Sequence, residues 1–169
     1  MEHHTFAILV KNQSGVLNRV TSLFRRRQFN IYSLTVSATE SSELSRITVL
    51  FDGDEHSKRQ LKSQLMKLPD IFAVTELDRD ATINCELLLV KMANSSNEDR
   101  NDILDAAGAF GAKIMDYTRD AIILRLVGSG RRVDDFIDLM RDYRILEICR
   151  TGVVSLERGS HTMRERSRL

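Results

Sequence analysis

The chain predicts an α+β protein made of two successive βαββαβ units. Two observations carry this. Apolar residues change from every-second spacing to every-third-or-fourth spacing and back, in the same order, once in each half of the 169 residues. Each run of that order takes about 75 residues, the size of a small domain. With 42% apolar and 29% charged positions, the chain has material for one ordinary core or two small ones and no signature of disorder.

In the first half, Phe6 to Val10 is an apolar run that predicts a strand. Val16, Leu17, Val20, Leu23 and Phe24 then recur at helical spacing. From Ile31, the residues Tyr32, Leu34, Val36 and Ala38 alternate with Ser33, Thr35 and Ser37, the period of a half-buried strand. A polar turn, Thr39 to Glu43, leads to a second alternating run of Ile47, Val49 and Phe51, so the pair reads as a hairpin ending at Asp52-Gly53-Asp54. Leu61, Leu65 and Leu68 mark one face of a second helix over His56 to Leu68, Pro69-Asp70 stops it, and Ile71 to Leu77 supplies the last strand.

The second half repeats the order. Glu86 to Met92 is a strand, and Ile103, Leu104, Ala107 and Phe110 form a helix face. Lys113 to Tyr117 and Ala121 to Val127 pair around Thr118-Arg119-Asp120, and Val133, Phe136, Ile137 and Met140 mark another helix. Ile145 to Cys149 begins a closing strand that continues past Gly152 through Val153 to Leu156. The expected domains are residues 4–78 and 83–158, joined by the polar segment Asp78 to Thr82, with 159–169 as a flexible tail. Right-handed crossovers make each unit a ferredoxin-like four-stranded antiparallel sheet with both helices on one face and the other face open. Ile123 and Val127 alternate with the equally apolar Ile122, Leu124 and Leu126, so the open face of the second sheet is expected to be covered by the other domain or by partner chains.

Several function classes drop out. A formal net charge of +1 provides no general attraction to nucleic acid or an anionic membrane, although Arg25-Arg26-Arg27 is a local patch suited to solvating a helix end. No apolar stretch approaches the roughly 20 residues of a membrane span, and the N-terminus enters a strand at once, so a soluble, cytoplasmic protein is expected. Cys85 and Cys149 lie in apolar strand-like runs and read as reduced, buried fillers. His3, His4, His56 and His161 are scattered, with no metal-binding helix, no paired cysteines and no nucleophile elbow. Gly128-Ser129-Gly130 lacks the third glycine and the lysine of a phosphate loop and reads as a tight turn, while Asp134-Asp135 suits the first turn of a helix.

What remains is the turn Asn12-Gln13-Ser14-Gly15-Val16-Leu17, between the first strand and first helix. A short polar loop at a helix entrance leaves backbone N–H groups facing solvent, beside a glycine with no side chain to block approach, which suits a carboxylate. The alternative is an ordinary helix start with Ser14 as its cap.

With a βαββαβ unit, this Asn-x-Ser-Gly loop and Phe29-Asn30-Ile31 entering the second strand, the first half resembles an ACT domain. Asn12 to Leu17, Asn30 to Val36 and Leu44 to Val49 together, extended by Leu88-Leu89-Val90-Lys91 and Thr151-Gly152-Val153-Val154, resemble the regulatory (small) subunit of acetolactate synthase over nearly the whole chain, to about Gly159. Three motifs in the right order are specific where one alone is weak. The resemblance implies a non-enzymatic subunit that binds the catalytic (large) subunit, activates it and confers feedback inhibition by valine. Thiamine diphosphate, FAD and magnesium are then the partner's, with no cofactor, metal or catalytic residue in this chain. It also implies a homodimer through the ACT domains with the effector at their interface. Carried over by position, Asn12, Ser14, Gly15, Val16 and Leu17 come from one chain and Asn30 and Ile31 from the other. Backbone N–H groups near Gly15 to Leu17 suit the effector's carboxylate, the Asn12 and Asn30 carbonyl oxygens its ammonium, and Ile31 its apolar side.

The chain departs from the family pattern twice: Gln28 stands where a glycine ends the first helix, and Tyr32 stands where Glu is common. A left-handed residue at Gln28 carries a steric cost of about 1 kcal/mol or more. A free-standing ACT-type amino-acid sensor acting on another protein is the alternative function, opposed by the second half's share in the resemblance. RNA-recognition domains share the βαββαβ order, but Ile31 to Ala38 and Ser45 to Phe51 lack the aromatic-rich motif their sheet needs for stacking.

Overall fold

The computed structural model describes residues 2–78 and 80–165. Its first unit runs β1 (Glu2–Lys11), α1 (Val16–Arg26), β2 (Ile31–Ala38), β3 (Leu44–Gly53), α2 (Glu55–Leu65) and β4 (Ile71–Glu76), the predicted order. The strands pair antiparallel in the order β2-β3-β1-β4. Strand alternation sends Phe6, Ile8, Val10, Ile47, Val49 and Phe51 to one face, where they pack against Val16, Val20 and Phe24 of α1 and Leu61 and Leu65 of α2. Phe51 lies at the centre, with the rings of Phe6, Phe24 and Phe29 edge-on at 5.0, 5.6 and 5.6 Å. Burying a ring of that size stabilises the fold by about 2 kcal/mol or more.

The end of α1 shows why the chain turns where it does. Gln28 has φ 57°, the one non-glycine residue with positive φ among the described residues. Its N–H donates to the Arg25 carbonyl and the Phe29 N–H donates to the Phe24 carbonyl, both at 3.1 Å. These are the two bonds of a Schellman motif, and the Phe24 and Phe29 rings supply its apolar contact at 6.2 Å. The chain therefore makes the left-handed turn with a residue that has a Cβ.

The second unit comprises β5 (Thr82–Ala93), α3 (Asn97–Ala109), β6 (Lys113–Tyr117), β7 (Ala121–Gly128), α4 (Gly130–Met140) and β8 (Ile145–Arg150), with strand order β6-β7-β5-β8. Leu88, Val90, Met92, Ile122, Leu124 and Leu126 face Ile103, Ala107, Val133, Phe136 and Met140. The opposite face is apolar as predicted, with Leu87, Leu89 and Ile123 half-buried and Val127 exposed. Ser129 caps α4 by accepting from the Arg132 N–H. A Cβ on Gly130 would stand 2.8 Å from a Glu86 carboxylate oxygen, so that glycine makes room for the Glu86–Arg150 ion pair. Asp134 and Asp135 lie just beyond the first turn of α4, Asp134 bonding Arg150 at 2.7 Å. Cys149 is exposed and Cys85 only half-buried, both free thiols. An apolar run marks a strand, but β8 ends its sheet and leaves most of its residues in solvent.

The last segment reaches back to the start of the chain. The contacts of the described residues divide the chain into two units, one made of the segments before residue 84 and after residue 152, the other of residues 84–152. The residues from Val153 onward thus make many of their contacts with the first unit. Strand β9 (Val154–Glu157) pairs with β5, and the Arg158 N–H donates to the Ala81 carbonyl at 2.8 Å. The Val153 N–H donates to the Ser33 hydroxyl at 3.0 Å, and the Arg46 guanidinium donates to the Ser155 carbonyl at 2.6 Å. Met163 is buried with Ala7, Leu9, Leu44, Ala73 and Leu77. That cluster covers part of the sheet face expected to stay open. Residues 166–169 lie outside the described residues.

Candidate functional site

The loop after β1 is held from below. The Asn12 N–H donates to the Glu43 carbonyl at 2.7 Å and its side-chain amide donates to the Ser42 carbonyl at 3.0 Å, which ties the loop to the β2–β3 turn. That arrangement spends the amide N–H and leaves the Asn12 side-chain oxygen as an acceptor. Gly15, at φ 84°, is the residue that enters α1, and no side chain caps the helix. The other three helices are capped by Asp54, Ser96 and Ser129. The ordinary alternative, Ser14 as the cap, is therefore not what the chain adopts. The Val16 N–H reaches back to the Gln13 carbonyl at 3.3 Å. The N–H groups of Leu17 and Asn18 have no partner among the described residues. An uncapped helix entrance with free donors and a glycine at its mouth is suited to an anion. Gln13, Ser14, Gly15 and Leu17 are exposed, while Val16 is buried in the core and shapes the loop from beneath.

Asn30 and Ile31 lie elsewhere. The Asn30 carbonyl accepts from the Asp52 N–H at 3.3 Å, at the opposite end of β3 from Glu43 and Ser42. The eleven residues of α1 separate the two halves by about 16 Å of helix axis. One chain thus does not bring Asn12 to Leu17 together with Asn30 and Ile31. Ile31 is half-buried against the core beneath the helices.

Sequence reasoning missed what surrounds Asn30. Tyr32 is exposed, and the Asp52 carboxylate accepts a hydrogen bond from its hydroxyl and raises its pKa above the ordinary value; the Asn30 side chain bonds the same hydroxyl and acts the other way. His3 joins them, with Nδ1 2.6 Å from Asp52 and its ring edge-on to Tyr32 at 4.9 Å. The signal was the pairing of His3 with Asp52 across β1 and β3, which only the register reveals.

A second polar cluster has no vacancy. His4, Glu55 and Glu76 bring ligand-type atoms within 4.8 Å of one another, but the Lys58 ammonium bonds Glu55 at 2.5 Å and Glu76 at 2.7 Å. That ammonium already neutralises the carboxylates, and its hydrogen bond is the main reason Glu55 titrates below the usual carboxylate range. No described helix is long and apolar enough to cross a membrane.

The sheet order, the uncapped Asn-x-Ser-Gly loop and the left-handed exit of α1 define an ACT-domain protein, and residues 6–73 match the family model described as an AHAS small subunit-like ACT domain. Residues 85–159 match the model for the small subunit of acetolactate synthase. The chain is 43% identical to a probable acetolactate synthase small subunit from Archaeoglobus fulgidus, over 93% of this chain and 98% of that one. It is 38% identical to the acetolactate synthase isozyme 3 small subunit of Escherichia coli, over 94% and 97% of the two chains. The crystal structure of the Thermotoga maritima acetolactate synthase small subunit superposes with a TM-score of 0.88 at 33% identity, covering 95% of this chain and all of that one. The chain belongs to the acetolactate synthase small-subunit family, whose members are regulatory rather than catalytic.

Proposed function

We propose that this chain binds the large subunit of a cytoplasmic acetolactate synthase, raises its activity and makes it sensitive to valine. Thiamine diphosphate, FAD and magnesium belong to that partner. The observation that carries the effector assignment is the pairing of free helix-entrance donors at one end of the first sheet with Asn30 and Ile31 at the other. Strand β2 is the terminal strand of that sheet, so a second copy can add to it edge to edge. If two β2 strands pair antiparallel about a two-fold axis, the Ile31 end of each meets the Ala38 end of the other. The Ala38 end leads into the turn that Asn12 holds. The same operation therefore brings each Asn30 to the partner's Asn12–Leu17 loop. The loop donors then take the carboxylate of valine, the asparagine oxygens its ammonium, and Ile31 and Leu17 its side chain. The free-standing sensor is the weaker reading, because the second unit shares the family likeness over residues 85–159.

The test is Gly15→Asp in a complex reconstituted with the large subunit, with Gly15→Ala as control. Any side chain at φ 84° is strained, by about 1 to 2 kcal/mol, and both variants share that cost. Only the aspartate places a negative charge where the effector's carboxylate sits. Activation survives in both, and valine inhibition disappears in Gly15→Asp alone. Undiminished valine sensitivity in Gly15→Asp refutes the site.

A further inference from the structure

The helix layer of the first unit is far more cationic than the chain. Residues 16–27 carry Arg19, Arg25, Arg26 and Arg27 and no acid, and residues 54–68 carry Lys58, Arg59, Lys62 and Lys67 against Asp54 and Glu55. The layer therefore stands at +6 in a chain of net charge +1. Helix α3 shows the opposite balance, with Glu98, Asp99, Asp102 and Asp105 against Arg100, so the bias is not compositional. Internal pairing absorbs little of it. Arg19 bonds Asp70 at 2.6 Å and Lys58 is taken by Glu55 and Glu76. Arg25, Arg26, Arg27, Arg59, Lys62 and Lys67 have no ion-pair partner among the described residues. Between the helices runs a groove of about 390 Å³, with Leu23 and Leu68 as apolar lining and Arg26, Arg27, Ser22 and Gln64 among its polar walls.

Helix polarity accounts for only part of this. Cations at the C-terminal end of α1 complement its dipole, but Arg59 sits near the start of α2, where the dipole opposes it. The cations are also spread along two helices rather than gathered at one point, and Arg25, Arg26 and Arg27 lie at the C-terminal end of α1, which repels phosphate. An extended surface bearing carboxylates, with apolar side chains to fill the groove, fits better than a small anion. We infer that the α1–α2 face of the first unit is the docking surface for an acidic, partly apolar patch of the large subunit. This rests on the reading that the chain acts on such a subunit, and it assigns the contact to the face bearing the helices, away from the β2 edge.

The experiment uses the full chain reconstituted with the large subunit in two independent double variants, R26E/R27E on α1 and R59E/K62E on α2. Removing opposed charges at a rim chiefly slows association and changes its salt dependence. The concentration for half-maximal activation rises roughly tenfold or more in each at low salt, the gap to wild type closes as salt is raised, and valine binding by calorimetry is unchanged. If both variants activate like wild type, the surface is wrong while the subunit reading stands. If wild type itself fails to activate, the subunit reading falls and takes the surface with it. A change in the oligomeric state of the isolated variants, or single-stranded RNA binding that they lose, overturns the proposal in favour of a contact between copies or a nucleic acid.

Discussion

Replacing Gln28 with glycine should stabilise the protein, although it deletes a side chain and adds no contact. Gln28 holds φ 57° at the position after the α1 cap, its side chain is exposed, and the hydrogen bond it makes there uses its backbone N–H, which glycine keeps. A Cβ in the left-handed region costs about 1 to 2 kcal/mol. Glycine returns part of that by loosening the unfolded chain, by about 0.5 to 1 kcal/mol. The expected net gain is about 0.5 to 1 kcal/mol, equivalent to about 1 to 4 °C in a protein of this size. Urea unfolding followed by far-ultraviolet circular dichroism reads it as a higher midpoint at unchanged slope. Gln28→Ala keeps the strained backbone and is the control. A Gln28→Gly midpoint at or below wild type refutes the reasoning, as does an equal gain from Gln28→Ala.

Two further outcomes follow from the same frame. Met163→Ala, which empties a buried position among Ala7, Leu9 and Leu77, costs about 2 kcal/mol by urea unfolding and raises hydrogen exchange in β1, whereas a loosely held tail would show neither. Asp54 accepts from the hydroxyl and the N–H of Ser57, which holds its carboxyl below the ordinary carboxylate value. A depressed folded pKa gives stability that is present above the unfolded value and lost as pH falls through the folded one. The deficit of Asp54→Ala relative to wild type is therefore full at pH 7 and shrinks below about pH 4, while that of Asp54→Asn, which caps without titrating, does not follow that course.

Much of the fold could be read from spacing alone, because the two periods are properties of the backbone: Phe6, Ile8 and Val10 can share a face only as a strand, and Val16, Val20 and Phe24 only as a helix. The left-handed exit at Gln28 was legible from its place in the family pattern. The return of Val153 to Met163 was not. An alternating run declares that it is a strand but not which side chains lie against its ends, and a lone methionine in a charged segment carries no periodicity. Ser14 failed as a cap because Gly15, being free to take positive φ, enters the helix one residue later. Tyr32 stands where Glu is common, yet the register sets Asp52 and His3 beside it, so an acidic group stands near Asn30 after all.

The return of the last segment also bears on how the molecule comes to be made. Because Arg46 is bonded to Ser155, 109 positions away, the first unit is split in the sequence and the second is an insertion within it. Emerging from the ribosome, residues up to 83 can form their helices and strands, but the face bearing Ala7, Leu9 and Ala73 must wait for Met163. Strands β5 to β8 of the inserted unit lie between residues 82 and 150 and are complete before Met163 is added. The part of the chain synthesised first is therefore the last to be completed, and its unfinished face is the point at which a nascent or truncated chain is exposed to aggregation or proteolysis.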